Sequence, residues 1–314
     1  MIIAGVANMD ALDTLIEIAS PEICFDAYHE IEGRFSTTHR KRMHACCSLI
    51  FVLEGGCGVL LDDEDTVWLS AGDFLLVNNN DSFHVVSRDT DFPDSPAYGA
   101  VGDVEMEMMR SSTKCESKVL CASVIGTKGA TLTFSQLLPD RLLLPSSLVS
   151  LRSPFPRMVR MLNSDLGKDG GAPWPITGTF IKCALVLAFR EMILLNYSRC
   201  RLLSLCAHPT LCRYVFSMIN DPQRGWSLES SPSRFFEACE REVIEISGFT
   251  SATISTLLRI LMSFPLLTSS RKTILQIGVM MGYGSAAEYS HAFSDCVGGA
   301  PDNFRIPREG SCFP

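Results

Sequence analysis

The stretch ILQIGVMMGYGSAAEYSHAFSDCVGGAPDNFRIP, residues 274–307, carries the most structural information in the chain. Ile274, Ile277 and Met281 fall near one face of a first helix, Gly282 ends it, and Gly284 keeps the turn tight. Ser285 is placed to cap the start of a second helix, and Glu288, three residues on, completes the pattern of a capping box. Tyr289 and Phe293, at i and i+4 on that second helix, are spaced to anchor it on the first. Two short helices crossing through a Gly-bearing turn are the arrangement of a helix-turn-helix, whose second helix enters a DNA major groove. An ordinary helical hairpin carries the same local signals, and these residues alone leave both readings standing.

Upstream of this stretch the pattern changes twice. Residues 8–19 place Met9, Leu12, Leu15, Ile16 and Ala19 on one helical face, and Pro21 ends that helix. From Ile23 to about Val124 short apolar runs alternate with turn residues. Val59, Leu60 and Leu61, then Asp62 and Asp63, then Thr66 to Leu69 read as a hairpin; Ala71-Gly72-Asp73 and Asn78 to Asp81 read as turns. Closely spaced strands without intervening helices favour a sandwich or small barrel. The polar segment from Phe92 to Lys118 reads as a loop, and residues 119–138 as two more strands around Gly126 to Gly129. After Pro145 the period turns helical, with one helix over 154–167 and a long one over 176–206, too widely apolar for a surface helix. That length belongs in a core or at a subunit interface. His208-Pro209 marks a boundary, and Pro209 to Arg308 is helical again.

With those surroundings, residues 274–307 resemble the second helix-turn-helix of the AraC/XylS family of transcription regulators. The residues that carry the resemblance are Ile274 to Gly278, Gly282-Tyr283, Ser285, Tyr289 to Phe293, Val297-Gly298, Pro301 and Phe304-Arg305. Residues 208–229, with Asp221-Pro222 and Trp226 to Glu229, look like the entry to that family's DNA-binding domain. Residues 248–260 look like the end of its first helix-turn-helix running into the linker helix. The runs 50–61 and 69–77, with the His84 that follows, are similar to the strand, Gly-Asp turn and terminal His of a cupin-type sensor.

The resemblance implies an α+β chain: a cupin-like β-barrel sensing a small molecule (1–140), a helical connector suited to homodimerisation (141–208) and an all-α twin helix-turn-helix domain binding double-stranded DNA (209–314). It places Ser285, Ala286, Ala287 and His291 toward bases on the second recognition helix. On the first, the matching positions are Ser233, Phe236 and Glu237, with Arg234 beside them. Arg259, Arg271, Lys272 and Arg305 are the cations assigned to phosphates. Two features depart from the family's pattern. Glu229-Ser230 runs directly into residues 231–242, without the helix that would brace the first recognition helix. Pro265 falls inside the linker helix and is expected to kink or break it, at about 3 kcal/mol.

Composition limits the alternatives. The 314 residues are 46% apolar and carry 27 Lys and Arg against 35 Asp and Glu, which argues against coating nucleic acid non-specifically. Residues 1–208 hold 18 basic and 25 acidic side chains, whereas residues 209–314 hold 9 and 10. The acidity therefore lies in the sensor half. Thirteen cysteines with no C-x-x-C read as reduced thiols of a cytoplasmic protein, and the apolar run 183–195 is too short to span a membrane. A metal-dependent cupin enzyme needs two His about two residues apart, a carboxylate and a later His. His44, Glu54 and His84 do not meet that spacing, and Cys46-Cys47 lack basic neighbours. The sequence therefore assigns no catalytic residue, metal ligand or cofactor. Two other readings stay open: a relic that binds a ligand or a partner but no longer DNA, and a metal-dependent cupin enzyme.

Overall fold

The structure is a computed structural model that describes residues 12, 14–17, 19, 21–40, 45–61, 66–78, 82–87, 116–125, 129–166, 174–195, 201–208, 211–224 and 234–305. Among the described residues nine strands form two antiparallel sheets: β1 (Glu22–Ile31), β2 (Ser36–Arg40), β3 (Ala45–Glu54), β4 (Gly56–Leu61), β5 (Val67–Ser70), β6 (Phe74–Asn78), β7 (Ser82–Val86), β8 (Ser117–Ile125) and β9 (Arg141–Leu144). The five-stranded sheet has the order β1-β8-β3-β6-β9, and the four-stranded sheet the order β2-β7-β4-β5.

Burial of β3 explains why its sequence reads as one apolar run. Every residue from Ala45 to Leu53 is buried. Strand geometry sends successive side chains to opposite faces. Ile50 and Val52 pack between the sheets with Ile31, Val59, Leu69, Phe83, Val85 and Val119. Leu49, Phe51 and Leu53 enter a second core shared with the helices. The five-stranded sheet thus has a barrel-like interior on one side and a helical layer on the other.

The two strands of the hairpin expected around Asp62-Asp63 pair, with Cys57 opposite Leu69 and Val59 opposite Val67, while the turn at 62–65 is outside the described residues. At the turn after β5, Gly72 adopts φ 87°. Asp73 Oδ2 there accepts from the Ser70 N–H at 2.8 Å, and Oδ1 from the Ser146 N–H at 2.7 Å. One carboxylate thereby closes the turn and ties it to the chain leaving β9.

Residues 119–138 differ from the two strands expected of them. β8 is the first; the second is a helix, α1 (Ala130–Gln136). Gly129, at φ 105°, starts it, and Ala130, Thr133, Phe134 and Leu137 are buried at helical spacing. The β-branched threonines of this segment misled the local reading; burial against the sheet decides in favour of helix.

The helical layer continues with α2 (Phe155–Leu166), α3 (Trp174–Leu194) and α4 (Arg201–Ala207). The single helix expected over 176–206 is therefore two, with a turn at Leu195. α3 lies in a core rather than standing free: Ile181, Leu185, Ala188, Phe189 and Met192 are buried. Its Glu191 carboxylate, also buried, accepts from Ser153 Oγ at 2.5 Å at the start of α2. Of the N-terminal helix, Leu12, Leu15, Ile16 and Ala19 are buried against the same core, and Met9 is outside the described residues. The loop expected over 92–118 is also outside them, apart from its end at 116–118.

The C-terminal part comprises α5 (Leu211–Asn220), α6 (Arg234–Ser247), α7 (Ser251–Ser269), α8 (Ile274–Met280) and α9 (Ala286–Val297). α7 is long and apolar enough to cross a membrane, but Ile254, Leu257, Leu258, Leu261, Phe264 and Leu267 are buried in the protein core. Thr250 caps it, accepting from the Thr253 N–H at 3.1 Å. Pro265 does not break it, contrary to expectation: the helix runs through to Ser269 with the proline ring on its exposed side. Buried Leu261, Phe264 and Leu267 on the opposite face hold the helix where the missing N–H would otherwise end it.

Because Pro265 is exposed and contributes no donor, Pro265→Ala is expected to stabilise the chain by about 1–3 kcal/mol, read as a higher midpoint in urea unfolding.

Candidate nucleic-acid interface

The helix-turn-helix expected at 274–297 forms from α8 and α9. Thr273 caps α8 and exchanges hydrogen bonds with Gln276, its hydroxyl accepting from the Gln276 N–H and the Gln276 side chain accepting from the Thr273 N–H. Gly282, at φ 83°, terminates the helix where a side chain would collide with the backbone of Pro222 and Gln223. Gly278 admits the Tyr289 side chain, since a Cβ there would stand 3.0 Å from Tyr289 Cβ. That close approach sets the crossing of the two helices.

Ser285 caps α9 as expected, accepting from the Glu288 N–H at 3.1 Å. The Glu288 carboxylate accepts from the Gly284 N–H at 2.9 Å, one residue earlier than a capping box requires, so it stabilises the turn itself. Gly298, at φ 77°, ends the helix. Tyr289 and Phe293 are both fully buried. The Tyr289 hydroxyl donates to Ser263 Oγ on α7 at 2.8 Å, and burial pushes its pKa up to about 12, so it stays protonated. The Phe293 ring stands 5.2 Å from Phe264 and 5.4 Å from Phe304. α9 is thus bolted down by one face. The other carries Ala287, Glu288, His291 and Asp295, all exposed, with Ser285 at its start and Ala286 half-buried beside them.

This outward face is weakly functionalised for reading bases. Its alanine methyls suit thymine methyls. His291 Nδ1 lies 2.9 Å from Asp295 Oδ2, so its imidazole is already engaged by a carboxylate.

The cations assigned to phosphate divide into two kinds. Arg271 and Lys272 are exposed on the segment entering α8. Arg259 instead donates from Nη2 to the Arg224 carbonyl at 2.8 Å and lies over the Tyr283 ring, 5.7 Å from its centre. Arg305 donates to the Lys272 carbonyl and pairs with Asp302 at 3.4 Å. Both arginines brace the domain internally. Sequence spacing identifies a cation but not the carbonyl that folding brings to it.

Of the first unit, α6 is described from Arg234, but the side chains of Arg234, Phe236 and Glu237 are outside the described residues, as is Ser233. Glu240 Oε1 accepts from the Ser251 N–H at 2.9 Å, and Glu242 lies 3.1 Å from His208 Nε2. These bonds tie α6 to the start of α7 and to the α4–α5 turn. That turn also brings Cys206 and Cys212 together. Burial first, then Cys212, raises the Cys206 thiol to about 12, which keeps it inert.

α1 joins the barrel to this domain. A Cβ on Gly129 would meet the Phe264 ring at 2.5 Å and Val297 Cγ1 at 3.0 Å. Gln136 Nε2 donates to the Cys296 carbonyl at 3.1 Å, near the C-terminus of α9. The helix following β8 therefore touches the far end of the outward-facing helix.

The residues weighed as barrel ligands scatter. His84 lies within β7 rather than at its end, with Nδ1 2.9 Å from Thr38 Oγ1. Glu54 accepts from Asn163 Nδ2 at 2.6 Å and pairs with Lys118 at 3.2 Å, and these two partners hold its carboxyl below the usual range. Cys46 and Cys47 are buried in β3, while His44 is outside the described residues. Sequence spacing missed the group that does converge, His29, His39 and Cys121, whose members lie on three separate strands.

The fold and the interface define a two-part molecule, a β-barrel backed by helices and joined to a helical domain that presents a helix-turn-helix. The family model described as cupin matches residues 10–193, and the chain belongs to that family. An uncharacterized HTH-type transcriptional regulator from Haemophilus influenzae is 20% identical over 307 residues, which are 95% of this chain and 98% of that protein. Among solved structures, ToxT from Vibrio cholerae matches at 12% identity and TM-score 0.31, covering 90% of this chain and 96% of that one. Wild-type ToxT bound to unsaturated fatty acid matches at 13% identity and TM-score 0.31, covering 90% and 94%.

Truncating Phe293 to alanine would empty the aromatic contact between α7, α9 and the short 3-10 turn at Pro301–Phe304. Phe293→Ala is expected to cost about 3–5 kcal/mol, measured by denaturant unfolding of the full chain.

Proposed function

We propose that the chain is a DNA-binding regulator of transcription of the AraC type, working in the cytoplasm, in which a small ligand in the N-terminal barrel controls a helix-turn-helix reader. The observation that carries this reading is the α8–α9 pair. Its second helix is capped at both ends, anchored by Tyr289 and Phe293, and free along one face. The name of the Haemophilus influenzae relative, which spans nearly the same length, supports it.

In this reading the sensor occupies about residues 1–140, extended by β9 at the edge of its five-stranded sheet, a connector suited to dimerisation runs to 208, and the reader occupies 209–314. Ser285, Ala286, Ala287 and His291 face bases, and Ser233 and Arg234 are the DNA contacts assigned to the first unit. Arg271 and Lys272 contact phosphates, while Arg259 and Arg305 position the elements around them. Ligand binding acts by shifting populations between arrangements of the sensor and reader. The contacts of Gly129 and Gln136 with α7 and α9 are the path by which a change in β8 reaches the reader. No residue is given a catalytic role.

One feature favours a second reading, a relic that binds a partner instead of DNA: the outward face of α9 carries Glu288 and the His291–Asp295 pair, and no Lys or Arg. An electrophoretic shift on the promoter of its own or a neighbouring gene decides between the two. Binding is expected, weakening linearly in log K against log salt. Arg271→Ala/Lys272→Ala is expected to reduce that slope by about two. No salt-dependent binding by the folded chain would reject the regulator.

A further inference from the structure

Inside the barrel, three strands bring together three groups that bind soft and borderline metal ions. His29 comes from β1, His39 from β2 and Cys121 from β8. All three ligand atoms lie within 4.8 Å of one another. His29 Nε2 stands 2.8 Å from His39 Nε2.

Sheet register explains the convergence. In the β1–β8 ladder Ala27 is opposite Cys121 and His29 opposite Val119, so His29 and Cys121 share a face, the one that packs between the sheets with Val119. β2 belongs to the other sheet. There His39 is opposite Phe83, and its ring stacks on that phenylalanine at 4.8 Å with planes 7° apart. The Phe35 ring, 5.4 Å from His29, closes another side. Both imidazoles are thus fixed in orientation by aromatic walls, and Cys121 is buried beneath them.

This composition is unusual for a packed interior. Ile31, Ile50, Val52, Val59, Leu69, Val85 and Val119 fill the rest of the space between the sheets. Two neighbouring histidines and a thiol are costly in such surroundings unless they serve one another or a shared partner. Burial first, then the neighbouring imidazole (His39 for His29, His84 for His39), lowers both histidines to about 4, so at neutral pH they carry lone pairs rather than charges. Burial, then Cys57 and Asp26, raises the Cys121 thiol. A cation entering here would replace the thiol proton, which passes to solvent as the metal–thiolate bond forms.

We propose that His29, His39 and Cys121 form a binding site for a single Zn²⁺ ion inside the barrel. The donor set of two neutral imidazoles and one thiolate suits zinc, leaving a fourth position for water. Two imidazole nitrogens on a tetrahedral zinc stand about 3.3 Å apart, so the rings separate by about half an ångström on binding. The ligands do not fall on the His-x-His, carboxylate and later-His pattern of metal-dependent cupins; their arrangement comes from the pairing of β1 with β8. The site lies in the barrel assigned above to the effector. It stands without the DNA-binding reading, because metal uptake and DNA binding are measured separately.

The test uses the full-length chain, reduced and stripped with chelator, titrated with Co²⁺ as a spectroscopic stand-in for zinc and then with Zn²⁺. One equivalent of cobalt is expected to bind with a thiolate-to-cobalt charge-transfer band, which zinc displaces. Cys121→Ser is expected to abolish the band, and His29→Gln and His39→Gln each to weaken zinc binding at least tenfold in competition with a chromophoric chelator. Cys206→Ser, in the helical part, is expected to leave both readouts unchanged. Circular dichroism checks each variant for folding. Should Cys121→Ser fail to fold, His39→Gln, at a half-buried position on an edge strand, carries the test. A band that survives in folded Cys121→Ser, unchanged affinity in the histidine variants, or no cobalt absorption by the folded chain would overturn the assignment.

Discussion

Burial of the five-stranded sheet on both faces is the constraint on which the rest of the structure depends. β3 has no face left for water. One set of its side chains needs the second sheet as cover and the other needs helices, so neither half of the N-terminal region closes its core alone. The helical core does not stop at the barrel. The apolar cluster that includes Leu49 and Phe51 runs on through α1 and α3 to Phe264 on α7 and Phe293 on α9. Barrel and reader are therefore joined through packed side chains, and interiors packed at near-crystalline density transmit displacement.

Legibility in the sequence followed the range of the interaction behind each signal. The α8–α9 unit was readable because its determinants are local: Ser285 and Glu288 are three residues apart, and Tyr289 and Phe293 four. The β4–β5 hairpin was readable for the same reason. α1 was misread because its threonines favour strand and its stabilising partners lie in the sheet and on α7. Pro265 was judged by the hydrogen bond it removes, whereas the packing on the other side of α7 carries the helix past it.

The same contrast governs the candidate sites. Arg259 and Arg305 look in sequence like Arg271, and only their bonds to the Arg224 and Lys272 carbonyls separate a brace from an exposed cation. His29, His39 and Cys121 have no spacing that a motif could capture, because strand order, not chain order, brings them together. Cys121 is also four residues from the end of β8, and the chain beyond leads into α1 and its contacts with α9. A change of position at that thiol has a short, rigid route to the helix-turn-helix.

Strand order also has a consequence for how the chain is made. Of the described strands β1 is synthesised before the others, yet among them it is an edge strand hydrogen-bonded only to β8, with Glu22 opposite Ile125 and Ile31 opposite Ser117. Until Ser117 to Ile125 have been synthesised it has no strand to pair with, while β4, β5 and β7 already have theirs nearby. Such long-range pairing slows folding and leaves an apolar edge open to wrong partners in the interval. Of the described strands, the one translated earliest is therefore among the last to be fixed in place, and with it the histidine that it delivers to the barrel interior.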